Sequence, residues 1–471
     1  VVTDAQGRYS FEGLPAGEYI VAAFKTGHAE RSYGQRRWND SPTPLNVRPG
    51  ETMVAEIRLP TTGTIVVRLF NPSGEPAVGL QVQALAKRFS DGQAVFTVMG
   101  LNTNALTDDR GEVRLFGLPE GDYWVVARSA PLTPLQRPPR EGETFFPGTR
   151  TSDRATPVSV SPGLETPISL VVEQAARLSR IDGFIFDSSG APANGASATL
   201  TQYGSARTMT ARVDRFTDGS FVTAPLAPGE YVMQVRQIST VGRAEYASSR
   251  FRVVGEDIQG AVLSTRPGAV VTGRIHLDEP GARVEPRSLR LEVVPVAVRE
   301  RPMSTGTATV VDDWSFEIRD LMATGGLRVA ESTGQWRIKT VVVGGRDITD
   351  LPLEFRPGTS LSDVQIVLTR RAAQVAGVVV GAPGAVVVTF PTDPALWTPT
   401  TRRIAMTTTD KAGQFLIGGL PAGDYHVVAL DGFQRGAERD VDTLRPLASR
   451  SVTLHLAEGE SKSISLKVVE R

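Results

Sequence analysis

The sequence predicts an all-β chain, a tandem array of about five β-sandwich domains, the first of them incomplete. Three observations carry that prediction. One pattern is written three times: "TDAQGRYSFEGLPAGEYIVAA" at 3–23, "TDDRGEVRLFGLPEGDYWVVA" at 107–127 and "TDKAGQFLIGGLPAGDYHVVA" at 409–429. Around it, apolar residues alternate at period two between turn signals, with no sustained helical period. The copies stand about a hundred residues or multiples of that apart, longer than the 20–50 residues of a solenoid unit, so each marks a whole domain.

Within the first copy Tyr9, Phe11, Tyr19, Val21 and Ala23 alternate, which predicts two half-buried antiparallel strands. Between them Leu14-Pro15-Ala16-Gly17 places Pro second and Gly fourth, the chemistry of a type I turn. Upstream, Asp4-Ala5-Gln6-Gly7 is a tight turn in which Asp accepts backbone amides and Gly takes a positive φ. The same reading puts Gly7, Gly111 and Gly413 at φ > 0. A further copy, "TDGSFVTAPLAPGEYVMQV" at 217–235, has lost two turn residues, an even number that preserves the inward and outward faces. A degraded copy keeps its apolar positions at Phe316, Ile318, Leu321 and Leu327 but not its Pro and Tyr.

Each later domain opens with its own strand and turn: "GTIVVRLFNPSGEPAVG" from 63, "IDGFIFDSSGAPANG" from 181, "AVVTGRIHLDEPGARV" from 269 and "VAGVVVGAPGAVVVTF" from 375. A strand, a Gly turn and a closing strand follow, as in "TPLNVRPGETMVAEIRL" and "TPVSVSPGLETPISLVV". The expected domains are 1–60, 61–174, 175–265, 266–371 (divergent) and 372–471. The first begins directly in its repeat and therefore lacks opening strands. Joints such as "VVEQAARLSRIDG" hold no Gly/Ser tract, which predicts restricted orientations and a stiff rod.

Composition narrows the function classes. Lys plus Arg equals Asp plus Glu at 51 each over 471 residues, so no global field draws nucleic acid or anionic lipid. No cysteine is present, which removes disulfides, thiol catalysis and Cys-based metal sites. No apolar run is long enough to span a bilayer as a helix. The chain opens on Val1 rather than Met, as a mature or truncated product would.

The signature "TDxxGxFxFxGLPxGxYxVxA", preceded by "GxVxxxxGxP", resembles the carboxypeptidase regulatory-like domain. The resemblance implies a seven-stranded, transthyretin-like (Ig-like) sandwich grouped with carbohydrate-binding-like folds. The closing "TLRPLASRSVTLHLAEGESKSISLKV" resembles the last domain of large, tandem, exported bacterial proteins. In metallocarboxypeptidases this domain sits beside the catalytic one, and its motif residues are turn and core positions. The resemblance thus implies structure and no active site.

Searching the residues for chemistry yields little. His28, His276, His426 and His455 are scattered, with no HExxH and no carboxylate at ligand spacing. The Asp-rich turns offer one or two carboxylates where a calcium loop needs several, so hairpin chemistry accounts for them. No cofactor and no catalytic residue is expected. The functional candidates are aromatic: Tyr33, Arg37 and Trp38 (with Arg36) in "RSYGQRRWNDSPTP", Phe145 and Phe146 (with Arg150) in "GETFFPGTRTSDRATP", and Trp397 in "DPALWTPTT". Loop aromatics either stack on sugar rings, with arginines bonding hydroxyls, or fold back to cap a sandwich end or fill a domain joint. The second reading is favoured. Ser/Thr stretches such as "RPMSTGTATV" and "TPTTRRIAMTTTD" suit O-glycans or simply exposed strands.

The expected function is a non-enzymatic structural or adhesive protein, secreted or at the cell surface or in the periplasm of a bacterium. Its expected partners are further copies, in a fibre built by strand complementation, with no nucleic acid and no transmembrane span. The alternative is a carbohydrate-binding array recognising polysaccharide or envelope glycan.

Overall fold

The computed structural model describes residues 1–35, 37–40, 42–90, 93–129, 143–172, 177–202, 210–211, 213–215, 218–238, 242–279, 281–282, 284–296, 303–330 and 336–469. The chain forms a tandem series of β-sandwiches, the first of them open. In the second unit Ile65, Val67 and Leu69 are fully buried on alternate positions of strand Gly63–Phe70. That strand pairs antiparallel with Glu112–Leu118 and parallel with Glu165–Val171. A facing sheet runs Thr144–Phe145, Gly121–Ser129, Leu80–Ser90, Gln93–Met99. The inner faces of both sheets share one core.

The plan recurs. In the third unit Ile181–Phe186 pairs antiparallel with Ser220–Thr223 and parallel with Ile258–Ser264. In the fourth Ala269–Leu277 lies between Ser315–Leu321 and the parallel Ser360–Thr369, and Arg337–Val343 extends the sheet. In the fifth Ala373–Val379 lies between Gln414–Leu420 and the parallel Ser461–Leu466. Each has its own hydrophobic core.

Among the described residues the first unit has two two-stranded pairings, Gly17–Tyr19 with Leu45–Val47 and Ala22–Ala23 with Arg31–Ser32. Among the described residues no core cluster forms within 1–60, and Phe24 and Val54 are 85% and 87% exposed. The predicted strand through Tyr9 and Phe11 is absent. Its counterparts, Glu112–Leu118 and Gln414–Leu420, pair with the opening strands Gly63–Phe70 and Ala373–Val379 of their own units.

The turns follow the predicted chemistry. Gly7, Gly111 and Gly413 have φ of 78°, 69° and 74°. Asp108 Oδ1 accepts from the amides of Arg110 (3.0 Å) and Glu112 (2.8 Å), and Asp410 does the same for Ala412 and Gln414. A Cβ at Gly111 would also strike the Leu69 carbonyl. Gly111→Val is therefore expected to lower the stability of its unit by roughly 1–3 kcal/mol, read as a lower calorimetric midpoint. The repeat tyrosine has a specific task. Tyr19, Tyr123, Tyr231 and Tyr425 each donate to the carbonyl four residues back, at 2.7–2.9 Å, tying the strand to its own turn. Burial pushes the hydroxyls of Tyr231 and Tyr425 up to about 12. The fourth unit has Leu327 there instead, and Trp314 and Asp320 take left-handed φ of 67° and 59° where the first, second and fifth copies have glycine.

Two features depart from the sequence reading. Residues 431–451 form a cap containing helix Val441–Ala448, with Asp440 accepting from the Thr443 amide at 3.0 Å. This cap covers the outer face of Val386–Pro391, so every residue of that strand is buried. The expected extended rod is also corrected. Phe89 of the second unit packs against the cap cluster of the fifth, and Asn39 Nδ2 donates to Gln434 Oε1 at 3.4 Å. Lys411 Nζ stands 4.0 Å from Glu51 Oε1. The fifth unit lies against the first two, because an apolar cap and a loop at 33–43 offer it more burial than solvent does.

Candidate functional site

The aromatic candidates go to several places. Phe145 is fully buried with Leu85 and Val126, so it shows no ring face to solvent. Phe146 is half-buried against the second core. Trp397 is 7% exposed, donates from its indole to the Pro391 carbonyl at 2.7 Å and meets Phe390 edge-on. Trp38 packs on the second core beneath the Arg88 guanidinium, 4.7 Å from the ring centroid. Gly121 leaves room for it, since a Cβ there would come within 3.2 Å of the indole nitrogen. Arg37 is exposed, while its amide donates to Asp40 Oδ2 at 2.7 Å. Tyr33 lines a cleft of about 740 Å³ between the first unit and Pro383, Gly384 and Thr408–Lys411 of the fifth. Of the companion arginines, Arg150 is exposed and Arg36 lies outside the described residues. The structure thus brings Tyr33 to the cleft with the fifth unit, keeps Trp38 on the second core, and places Trp397 in the cap cluster that Phe89 packs against.

The histidines do not converge. Among the described residues no group of three His, Asp or Glu stands at metal-binding distance. One contact has the look of a catalytic pair: Ser451 Oγ lies 2.6 Å from His426 Nδ1. The same hydroxyl donates its one proton to the Ala448 carbonyl at 2.9 Å, so Nδ1 must be the donor in the pair. A protonated Nδ1 cannot activate that serine as a base. The pair ends the cap helix, and burial pushes the His426 imidazole down.

The densest chemistry sits where the fourth and fifth sandwiches meet. Asp350, 7% exposed, receives Arg402 Nε on Oδ1 at 2.9 Å and Arg402 Nη2 on Oδ2 at 3.1 Å. The Arg402 amide adds a third bond, at 3.0 Å, and Arg403 Nε stands 3.5 Å away. Burial alone would push the Asp350 carboxyl up, but the Arg402 hydrogen bonds and the charges of Arg402 and Arg403 hold it below its usual range. The pairing is clamped from both sides. Arg402 also donates to the Ile338 carbonyl, Arg328 to that of Thr400, and Thr398 and Thr400 to that of Asp350. Arg439 donates to the carbonyls of Pro399 and Thr401 at 3.1 Å each. Burial, then the charge of Arg402, pushes the Arg328 guanidinium down to about 10, still charged at neutral pH. A cleft of about 670 Å³ opens beside this cluster, walled by Arg337, Arg371, Arg403 and the turn Gly419–Ala422.

No protein-family profile and no curated protein sequence matches the chain. Solved structures give similarities at low identity. The Bacillus anthracis TIE protein is 10% identical over 97% of this chain and 75% of its own, with a TM-score of 0.16. BcpA, the major pilin subunit of Bacillus cereus, is 12% identical over 86% and 99%, with a TM-score of 0.16. GBS52, the minor pilin of Streptococcus agalactiae, is 13% identical over 44% and 97%, with a TM-score of 0.22. At such scores the chains do not superpose as wholes, and the fold assignment rests on the sheets described above.

The Asp350 cluster escapes a reading by local spacing, since its partners lie 52 residues apart in sequence. The one available signal is the Arg402-Arg403 doublet inside "TPTTRRIAMTTTD". Its Thr400 and Thr401 are 4% and 1% exposed, which leaves those hydroxyls no room for a glycan.

Proposed function

We propose that the protein is a non-enzymatic structural or adhesive component of a bacterial surface or extracellular layer, built from carboxypeptidase regulatory-like sandwiches. The observation that carries this reading is the disposition of polar chemistry. Turn carboxylates cap amides, repeat tyrosines tie turns, and the buried ion pairs join domains. Polar groups here hold the architecture together. Among the described residues no helix is long and apolar enough to cross a membrane.

The open first unit supports assembly through strand complementation. Its Phe24 and Val54 stand in solvent, and the segment through Tyr9 and Phe11 lacks a pairing strand. A strand supplied by another copy would satisfy both, joining molecules head to tail. Polysaccharide recognition by loop aromatics keeps Tyr33 as its best-placed residue, at the cleft described above. Sedimentation velocity of the intact chain tests the proposal. Concentration-dependent polymers that vanish on deletion of 1–59 are expected. A monomer at all concentrations contradicts strand complementation, and reproducible turnover of any substrate by pure protein contradicts the non-enzymatic reading.

A further inference from the structure

The cleft between the fourth and fifth sandwiches has more cations on its wall than the carboxylates there can match. Seven Lys and Arg side chains line it against the carboxylates of Asp347, Asp350 and Glu458, and Asp278 stands within ion-pair distance of two of those cations. Lys339 and Arg371 are balanced by Asp278 and Glu458, at 2.8–3.3 Å. Asp350 is claimed by Arg402 and Arg403. That leaves Arg328, Arg337 and Arg439 with no carboxylate at ion-pair distance among the described residues. Arg337 is exposed and stands against the turn at Gly419, where a Cβ would lie 3.5 Å from its guanidinium carbon. Arg403 reaches the other side of the same turn, donating to the Ala422 carbonyl at 2.7 Å. Its Nε is buried and makes no hydrogen bond, standing 3.5 Å from Asp350 Oδ2.

We propose that this cleft binds a divalent oxyanion, a phosphate or sulfate group, held by Arg337 and Arg403 across the turn at 419–422 and attracted by the charge of Arg328. Guanidinium forks match tetrahedral oxyanions in shape and donor geometry, which a neutral sugar does not. Two negative charges offset most of the local excess, and the partly enclosed wall keeps solvent screening weak. The ion would also tie the two sandwiches together, since Arg337 belongs to the fourth and Arg403 to the fifth. The inference goes beyond the structural reading above and does not depend on it.

Isothermal titration of the intact chain with sodium sulfate and sodium phosphate, at ionic strength matched with chloride, tests it. One saturable site is expected, together with a higher melting temperature in sulfate than in matched chloride. Arg337→Ala breaks no hydrogen bond and is expected to weaken affinity by about tenfold, as is Arg403→Gln. Dextran sulfate and neutral dextran then separate the sources. Displacement by the sulfated polymer alone assigns the group to a polysaccharide, and resistance to both assigns it to a free ion. Absence of saturable binding, or an affinity unchanged in Arg337→Ala, overturns the proposal. Should Arg403→Gln fail to fold, Arg337→Ala still decides.

Discussion

Asp350→Asn is expected to destabilise the contact between the fourth and fifth sandwiches by about 3–5 kcal/mol, because it removes one partner of a buried ion pair and leaves the others charged. Arg402 would keep its carbonyl partners and one bond to the remaining amide oxygen, but it would lose the second bond and the opposing charge, while Arg328 and Arg403 remain nearby. Scanning calorimetry should show the fourth and fifth units melting earlier, with the third little changed. Acid should produce a milder version. The folded carboxyl titrates below its ordinary value of 3.8, so its contribution is complete above that pH. It is lost as pH falls through the lower, folded value. A joint that acid weakens no further in Asp350→Asn than in the parent would fit. A variant as stable as the parent at pH 7 would show the pair to be replaceable.

Gly273→Val is expected to cost the fourth unit about 3–5 kcal/mol, among the larger effects a single residue produces. The parallel pairing between Ala269–Leu277 and Ser360–Thr369 shifts register at Val271/Gly273. Asp363, in the partner strand, takes a left-handed φ of 57° at this bulge. The bulge brings the Val364 carbonyl beneath Gly273, where any Cβ would collide with backbone atoms. Gly183 meets Ala261 in the same way at the bulge of the third unit. The second unit is different, with Val67 buried in a strand whose parallel pairing is regular from Thr64 to Phe70. A midpoint for Gly273→Val equal to that of the parent would mean that the opening strand can shift away from its partner. The bulge would then not be a fixed part of the sandwich.

The sandwich fold was legible because its signals are local. Alternation at Ile65, Val67 and Leu69 and turns such as Asp108 to Gly111 need only a few neighbouring residues to be read. What escaped depends on distant partners. The cap at 431–451 carries a short helix interrupted by Pro446, with too few turns to show a period. The docking of Phe89 on that cap follows from tertiary shape alone. The buried Asp350 looked like any loop aspartate until Arg402 was placed against it. Aromatic residues outside the alternating strands were noticed in sequence, but local pattern could not say whether Phe145 or Tyr33 would face solvent.

The position of the fifth unit against the first two is what most needs measuring. The chain has no cysteine, and a double variant, Asn39→Cys with Gln434→Cys, places two thiols at the contact between the first and fifth units. Treatment of the dilute monomer with a short bismaleimide should give an internally linked product in high yield, with little from either single variant. A double variant that cross-links only between molecules, or not at all, would contradict the folded-back arrangement and restore an extended array.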